Sequence, residues 1–320
     1  MEVFLNALLI VAGFILLIKG ADFLVEGASS LAKRYQLSEM MIGLTIVAFG
    51  TSSPELVVNL FSGVNGYDEV VFGNIIGSNI FNLFLILGLA GLIHPMSVQF
   101  NTVWKEIPFN IMVTIVLFLL VNDELIFGVN YNYAGNWDGL ILLSFFGFFI
   151  YYVIKNLKKE VVDLDEIKVH SNRKSIIMVA GGMLALTFGG RLVVDNAVDI
   201  SRIFDVSEKL IGLTIISAGT SLPELATSVV AALKKKADIA VGNILGSNIF
   251  NFTFVLGVTT FTEALSYDPI LNIDLSVFLI GSLLLFFFMF TLKAKKLDRW
   301  EALILLIGFL AYYVFILIRK

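Results

Sequence analysis

Cysteine is absent from the 320 residues, histidine occurs twice, proline five times, and only 15% of the chain is charged. Without cysteine there is no disulfide framework, thiolate zinc site, cysteine nucleophile or iron–sulfur cluster. His94 and His170 fall in connections between apolar runs and are expected as solvated loop residues. A soluble protein needs about 25% charged residues to cover its surface, so the scarcity of charge excludes a soluble enzyme and a nucleic-acid binder. What is present is apolar: 58% of residues are hydrophobic and the mean hydropathy is +0.91. At roughly 20 apolar residues per membrane span, ten spans take about 200 residues and leave about 120 for connections. The bilayer is the expected surrounding partner, and no soluble domain fits.

Leu275 to Leu292 and Ala302 to Ile318 carry no charge, and such uninterrupted runs are helices rather than alternating barrel strands. Spans are predicted near 3–28, 39–65, 69–93, 103–121, 137–155, 175–201, 208–233, 237–262, 272–292 and 300–318. The one long polar stretch, Lys155 to Lys174, contains six Lys or Arg. The chain therefore divides into a first half, 1–155, a linker, 156–174, and a second half, 175–320. Counting alternate connections puts sixteen Lys or Arg on the linker side and four on the other. The positive-inside tendency then makes the linker cytoplasmic and both termini extracellular in a cell membrane. Glu2 precedes the first apolar run without a basic segment, so no cleavable signal peptide is expected.

An offset of 169 residues aligns Ile42–Gly88 with Ile211–Gly257 without a gap, and 22 of the 47 positions are identical. The copies read IGLTIVAFGTSSPEL with GNIIGSNIFN, and IGLTIISAGTSLPEL with GNILGSNIFN. Five spans in each half, an odd number, oblige the second copy to enter the membrane from the opposite side. The predicted fold is an all-α polytopic membrane protein of ten helices in two inverted five-helix repeats, a plan found in secondary transporters.

Pro54 and Pro223 interrupt apolar helices just after Gly50 and Gly219. Proline lacks the backbone donor and disfavours helical geometry in the residue before it. The helix should break at each GTSxPE motif, with a Ser or Thr able to cap the second half. Carbonyl oxygens around Ala48–Thr51 and Ser217–Thr220 then lose intrahelical partners, and in hydrocarbon a cation can replace them. Glu55 and Glu224 lie one residue past each proline, at a depth where a carboxylate must be paired or functional. Together these are hard oxygen donors, suited to a cation such as Ca²⁺ with about six to eight oxygen ligands, and unsuited to copper or zinc.

In the second motif Ser78 and Asn82 are four apart on one helix face, as are Ser247 and Asn251. Gly73, Gly77, Gly242 and Gly246 suit close helix packing, and Asn74 and Asn243 suit either interhelical hydrogen bonds or ion binding. Lys19 and Asp22, three apart, are expected to pair locally. Glu26, Arg191, Asp195 and Asp199, near span ends, are expected as structural or gating pairs. His94-Pro95 and Tyr131–Trp137 are expected as interfacial anchors.

The two repeated segments resemble the alpha repeats of the cation/calcium antiporter superfamily, sodium/calcium exchangers of prokaryotic type in particular. The resemblance implies Na⁺ and Ca²⁺ as transported substrates, bound at adjacent mid-membrane sites. It maps Ca²⁺ ligation to Glu55 and Glu224, carbonyl ligands to Ala48, Thr51, Ser217 and Thr220, and hydroxyl ligands for Na⁺ to Ser52, Ser78, Ser221 and Ser247. Asn82 and Asn251 match the remaining polar positions. Some relatives, potassium-dependent exchangers among them, carry Asp where this chain has Asn251, so potassium dependence is not expected. The short linker lacks the large regulatory domain of animal exchangers. No cofactor, nucleic acid or obligate protein partner is implied.

Two ionised glutamates give an unloaded site a charge of −2, costly to carry through a closed, water-poor intermediate. One Ca²⁺ or at least two Na⁺ neutralises it, which is a physical reason for obligatory exchange. A H⁺/Ca²⁺ antiporter would use the same pair through protonation, and a cation channel could also use broken helices and an acidic pair. A membrane enzyme has less support: there is no HExxH motif or paired Asp motif, and the serines beside proline have no evident base.

Overall fold

A computed structural model of the chain describes residues 2–99, 101–156, 169–204, 217–291 and 295–319. Its helices in chain order are α1 (Glu2–Tyr35), α2 (Glu39–Thr51), α3 (Ser53–Val64), α4 (Asp68–Ile93), α5 (Thr102–Val121) and α6 (Asn136–Asn156) in the first half. The second half has α7 (Asn172–Ile203), α8 (Ser217–Thr220), α9 (Leu222–Leu233), α10 (Ala237–Thr259), α11 (Pro269–Phe288) and α12 (Arg299–Ile318). Among the described residues eight helices are long and apolar enough to cross a membrane, and α2 with α3, bent by 47°, forms a ninth, broken span. The tenth expected span is represented by α8 and α9; its first part, 208–216, and most of the linker, 157–168, lie outside the described residues. Nearly all predicted spans are met within a few residues. The exception is α1, which runs well beyond its expected end: at 1.5 Å per residue the 34-residue α1 is about 51 Å long, more than an upright crossing of a 30 Å hydrocarbon layer needs.

α1 and α7 pack antiparallel along a seam of small residues. A methyl group added to Gly13, Gly20 or Gly27 would meet the backbone oxygen of Gly189, Gly182 or Ser175, respectively, at 2.9 Å. Spacing by seven keeps these positions on one face of each helix, so the backbones approach as only glycine permits. The register also discloses the symmetry. Gly13 and Gly20 correspond to Gly182 and Gly189 in the second half, yet Gly13 meets Gly189 and Gly20 meets Gly182. Crosswise pairing of equivalent residues is the signature of a two-fold axis, and because the helices are antiparallel that axis lies across them. The repeats are thus inverted. Two small antiparallel ladders support the same relation, with β1 (Met96–Ser97) on β4 (Lys296–Leu297) and β2 (Tyr133–Ala134) on β3 (Leu265–Ser266).

The motif-bearing helices occupy the centre. The most apolar stretch of α10 is 94% buried and that of α4 72%, against 17% for α1 and α12, which face outward. At the seam, Gly182→Val would drive Cβ atoms against the Gly20 oxygen and Leu24 nitrogen, whereas nothing lies within 4 Å of a Cβ at the adjacent Gly181. Overpacking of this kind costs about 1–3 kcal/mol. Gly182→Val is expected to lower the melting temperature in detergent by several degrees and Gly181→Val to leave it unchanged.

Candidate ion-binding site

The helix breaks fall where proline predicts. Ser52 (φ −86°, ψ 5°) separates α2 from α3, and Ser221 (φ −88°, ψ 5°) separates α8 from α9 in nearly the same conformation. The expected capping does not occur: neither serine side chain caps the following half-helix. The Ser52 hydroxyl instead donates across the repeat interface to Glu224 Oε1 at 2.8 Å, joined by Ser247 at 3.4 Å. A cap would have satisfied the helix; the crossing bond orients a carboxylate.

Glu55 and Glu224 are 1% and 0% exposed. Each lies in the first turn of its half-helix, close enough to the other for their charges to interact. Thr220 faces Glu55 and Thr51 faces Glu224, an equivalent pair related by the two-fold. The same hydroxyls tie the broken helices to their neighbours: Thr51 donates to Asn243 Oδ1 at 3.0 Å and Thr220 to Asn74 Oδ1 at 3.2 Å. Asn74 and Asn243 therefore make the interhelical bonds expected of them, and Asn243 also donates to Ser228 at 3.0 Å.

A second crosswise pair joins the GSNIFN segments. Asn82 donates to Asn248 Oδ1 at 3.1 Å and Asn251 donates to Asn79 Oδ1 at 3.0 Å. Asn79 and Asn248 were not singled out from sequence, although each stands three residues before Asn82 or Asn251, a spacing that places them on neighbouring faces of one turn. At the end of each motif the helix widens into a π-helical segment, Phe81–Ile86 and Asn251–Val255, a distortion frequent at functional sites.

With these bonds made, Glu55 Oε2, Glu224 Oε2, Ser78 Oγ, Ser221 Oγ, Asn82 Oδ1 and Asn251 Oδ1 are buried without a hydrogen-bonding partner among the described residues. Unsatisfied buried oxygens are costly; these six belong to residues that the sequence nominated as ligands, and Asn59 Oδ1 and Thr227 Oγ1 on the same half-helices are buried without a partner as well. Ala48 behaves differently from the expectation of a loose carbonyl: its oxygen accepts from the Ser52 amide at 2.9 Å and the Thr51 hydroxyl at 3.2 Å. Ser217 opens α8. Among the described residues no three His, Cys, Asp or Glu side chains gather as a metal cluster; the acidic component is two carboxylates amid neutral oxygens.

Two other expectations need correction. Asp22 pairs with Lys234 of the second half at 2.5 Å rather than with Lys19. His170 is 15% exposed in its side chain, and its Nε2 lies 2.7 Å from Glu26, so it is not a solvated loop residue. Both pairings join segments far apart in sequence.

An inverted two-fold bundle with broken helices around a buried, oxygen-lined acidic centre defines a multi-pass membrane protein of the ion-exchanger class. The sequence profile of the family described as sodium/calcium exchanger protein matches residues 5–155 and 174–318, and the chain belongs to that family. CaxA of Alkalimonas amylolytica is 36% identical over 313 residues, covering 95% of this chain and 96% of its own. The sodium/calcium exchanger MaX1 of Methanosarcina acetivorans is 28% identical over 349 residues, covering 97% of each chain. A structure of the sodium-calcium exchanger NCX_Mj, soaked with 2.5 mM Na⁺ and 0.1 mM Ca²⁺, superposes with a TM-score of 0.83 at 30% identity, covering 96% of this chain and 97% of its own.

The asparagine cross-links carry a test that needs no transport. Asn248→Leu leaves the buried Asn82 amide without its acceptor, at a cost of about 1–3 kcal/mol. A melting temperature in detergent lower by several degrees than that of the wild type is the expected result.

Proposed function

We propose that the chain is a secondary active antiporter that exchanges Na⁺ for Ca²⁺ across a membrane by alternating access. The observation that carries this is that both repeats contribute buried oxygens, among them those of Glu55, Glu224, Ser78, Ser221, Asn82 and Asn251, that have no partner among the described residues. Hard oxygen ligands of mixed charge suit Ca²⁺ and Na⁺. In this proposal the two glutamates ligate Ca²⁺, while Ser52, Ser78, Ser221 and Ser247 supply hydroxyl oxygens for Na⁺. Asn82 and Asn251 contribute side-chain carbonyls, and backbone oxygens of Ala48, Thr51, Ser217 and Thr220 complete the set. Ala48 would have to share an oxygen that already accepts two hydrogen bonds.

Exchange follows from charge. Two carboxylates in a water-poor centre oppose closure until cations neutralise them, so only a loaded carrier passes readily between its two openings. The moving parts are the five-helix units 1–155 and 175–320, joined by the linker 156–174. Positive charge concentrated beside that linker favours a cytoplasmic linker and extracellular termini, with Ca²⁺ extrusion as the usual direction. No cofactor or covalent step is required. Asn251 offers an oxygen without a charge, which favours a cycle independent of K⁺.

In proteoliposomes, a Na⁺ gradient is expected to drive radiolabelled Ca²⁺ uptake by the wild type, and Glu55→Gln or Glu224→Gln to reduce it to the background of empty vesicles. Wild-type flux in either variant would remove the glutamates from the proposed site. Uptake driven by a pH gradient and indifferent to Na⁺ would assign proton exchange instead, and flux without any counter-ion would assign a channel. A separate ion substitution tests Asn251: replacing K⁺ by choline on both sides is expected to leave the Na⁺-driven rate unchanged.

A further inference from the structure

We infer that the ion pairs of Lys234 with Asp22 and Glu26 form a one-sided latch that holds the linker face of the protein closed and biases the carrier toward opening on the opposite face. The inference rests on the alternating-access reading above. It makes Lys234, Asp22 and Glu26 positioning residues for transport, acting through the helices rather than on the ions.

The geometry is asymmetric where the fold is symmetric. Lys234, at the end of α9, places its ammonium 2.5 Å from Asp22 Oδ1 and 3.9 Å from Glu26 Oε2 on α1. It also donates to the Asp22 backbone oxygen at 3.4 Å. The other Glu26 oxygen is held by His170, at 2.7 Å. Under the 169-residue correspondence, Asp22, Glu26 and Lys234 become Arg191, Asp195 and Asn65. Among the described residues these equivalents make their contacts inside their own helices: Arg191 lies 3.5 Å from Asp195, both side chains well exposed, and Asn65 donates to the Phe61 oxygen at 2.6 Å.

The helices around the latch show the same difference. α1 packs along α9, whereas the equivalent pair, α7 and α3, hardly touches. Consequently α9 is buried on two faces, with Thr227 and Ser228 both 0% exposed. α3 is buried along a single stripe through Glu55, Asn59 and Ser62. Among the described residues, α1 and α9 thus close together on the linker side, and α7 and α3 do not on the opposite side.

Symmetry turns this into an energetic statement. In an inverted repeat the second state is reached when each half adopts the conformation of the other. Asp22 would then stand to Lys234 as Arg191 now stands to Asn65, out of contact. The contact that replaces it on the opposite face would be Arg191 with Asn65, which is no ion pair. An interaction made in one state alone shifts the equilibrium toward that state. With side chains about a third exposed (32–37%) the pairs are screened, so a shift of about threefold to fivefold is expected.

The absence of cysteine provides the assay. Thr227, buried between Glu224 and Lys234, is replaced by cysteine, and a membrane-impermeant maleimide is applied from the linker face of reconstituted protein. Lys234→Gln is expected to speed labelling about threefold to fivefold, while the exchanged pair Asp22→Lys with Lys234→Asp restores the slow rate. Lys296→Gln removes a pair made within its own segment, Lys296 with Asp298 at 3.4 Å, which either state retains, and is expected to change nothing. The latch can also be moved: Arg191→Asp with Asn65→Lys, at exposed positions, should stabilise the other state and speed labelling at Thr227→Cys. Unchanged labelling in Lys234→Gln, or labelling in the exchanged pair as fast as in the single variant, would overturn the proposal. The labelling does not depend on which ions are carried, so loss of Na⁺-driven Ca²⁺ flux in the wild type would refute the proposed exchange and leave this result readable.

Discussion

The structure depends on the cost of keeping two carboxylates inside a membrane. A single acidic side chain at mid-span costs about 3 kcal/mol even by the mildest measure, and Glu55 and Glu224 are almost completely buried beside each other. Everything around them reduces that cost. The breaks at Ser52 and Ser221 release hydroxyl groups that a continuous helix would have used locally. Ser52 and Ser247 donate to Glu224, and the threonines of the breaks face the carboxylates while bonding to Asn74 and Asn243. The remaining oxygens, left without protein partners, make a cation the natural completion of the site. In the proposed function that incompleteness is the driving term: a site stable only when loaded is a site that exchanges.

Two-fold symmetry solves the assembly problem economically. Neither repeat holds an adequate set of donors, but crosswise bonds between equivalent residues bring the half-sites together in one register. The same relation runs from the glycine seam of α1 and α7 through the paired asparagines at the centre. Symmetry alone, however, would make the two states equal in energy. The direction in which a carrier rests must come from residues at which the repeats differ, and Lys234 against Asn65 is such a difference.

Much of this was legible in the chain because a bilayer leaves few alternatives. Long charge-free runs had to be helices, a duplicated motif five spans apart had to be inverted, and Pro54 and Pro223 had to interrupt their spans. The ligand candidates were equally visible, since polar residues in mid-membrane are rare enough to stand out. Interactions governed by distance in space were not legible. Asp22 was expected to pair with Lys19 one turn away, and it reaches Lys234 instead. His170 was expected in solvent, and it lies against Glu26. The Ser52 side chain has the chemistry of a cap and is used across the interface. In each case the partner comes from a segment far away in sequence.

Sequence by itself determined the class of the protein, the inverted duplication, the positions of the breaks and the chemical character of the site. These follow from composition, spacing and the requirement that every backbone group in a membrane be satisfied within its own segment. Only the tertiary structure decided which hydroxyl serves which carboxylate, that Asn79 and Asn248 knit the centre together, and that α1 is ion-paired to the end of α9 while the equivalent α7 and α3 are not. Those choices depend on distances of a few ångströms between residues on different helices, most of them far apart in the chain, and such distances exist only once the helices have packed.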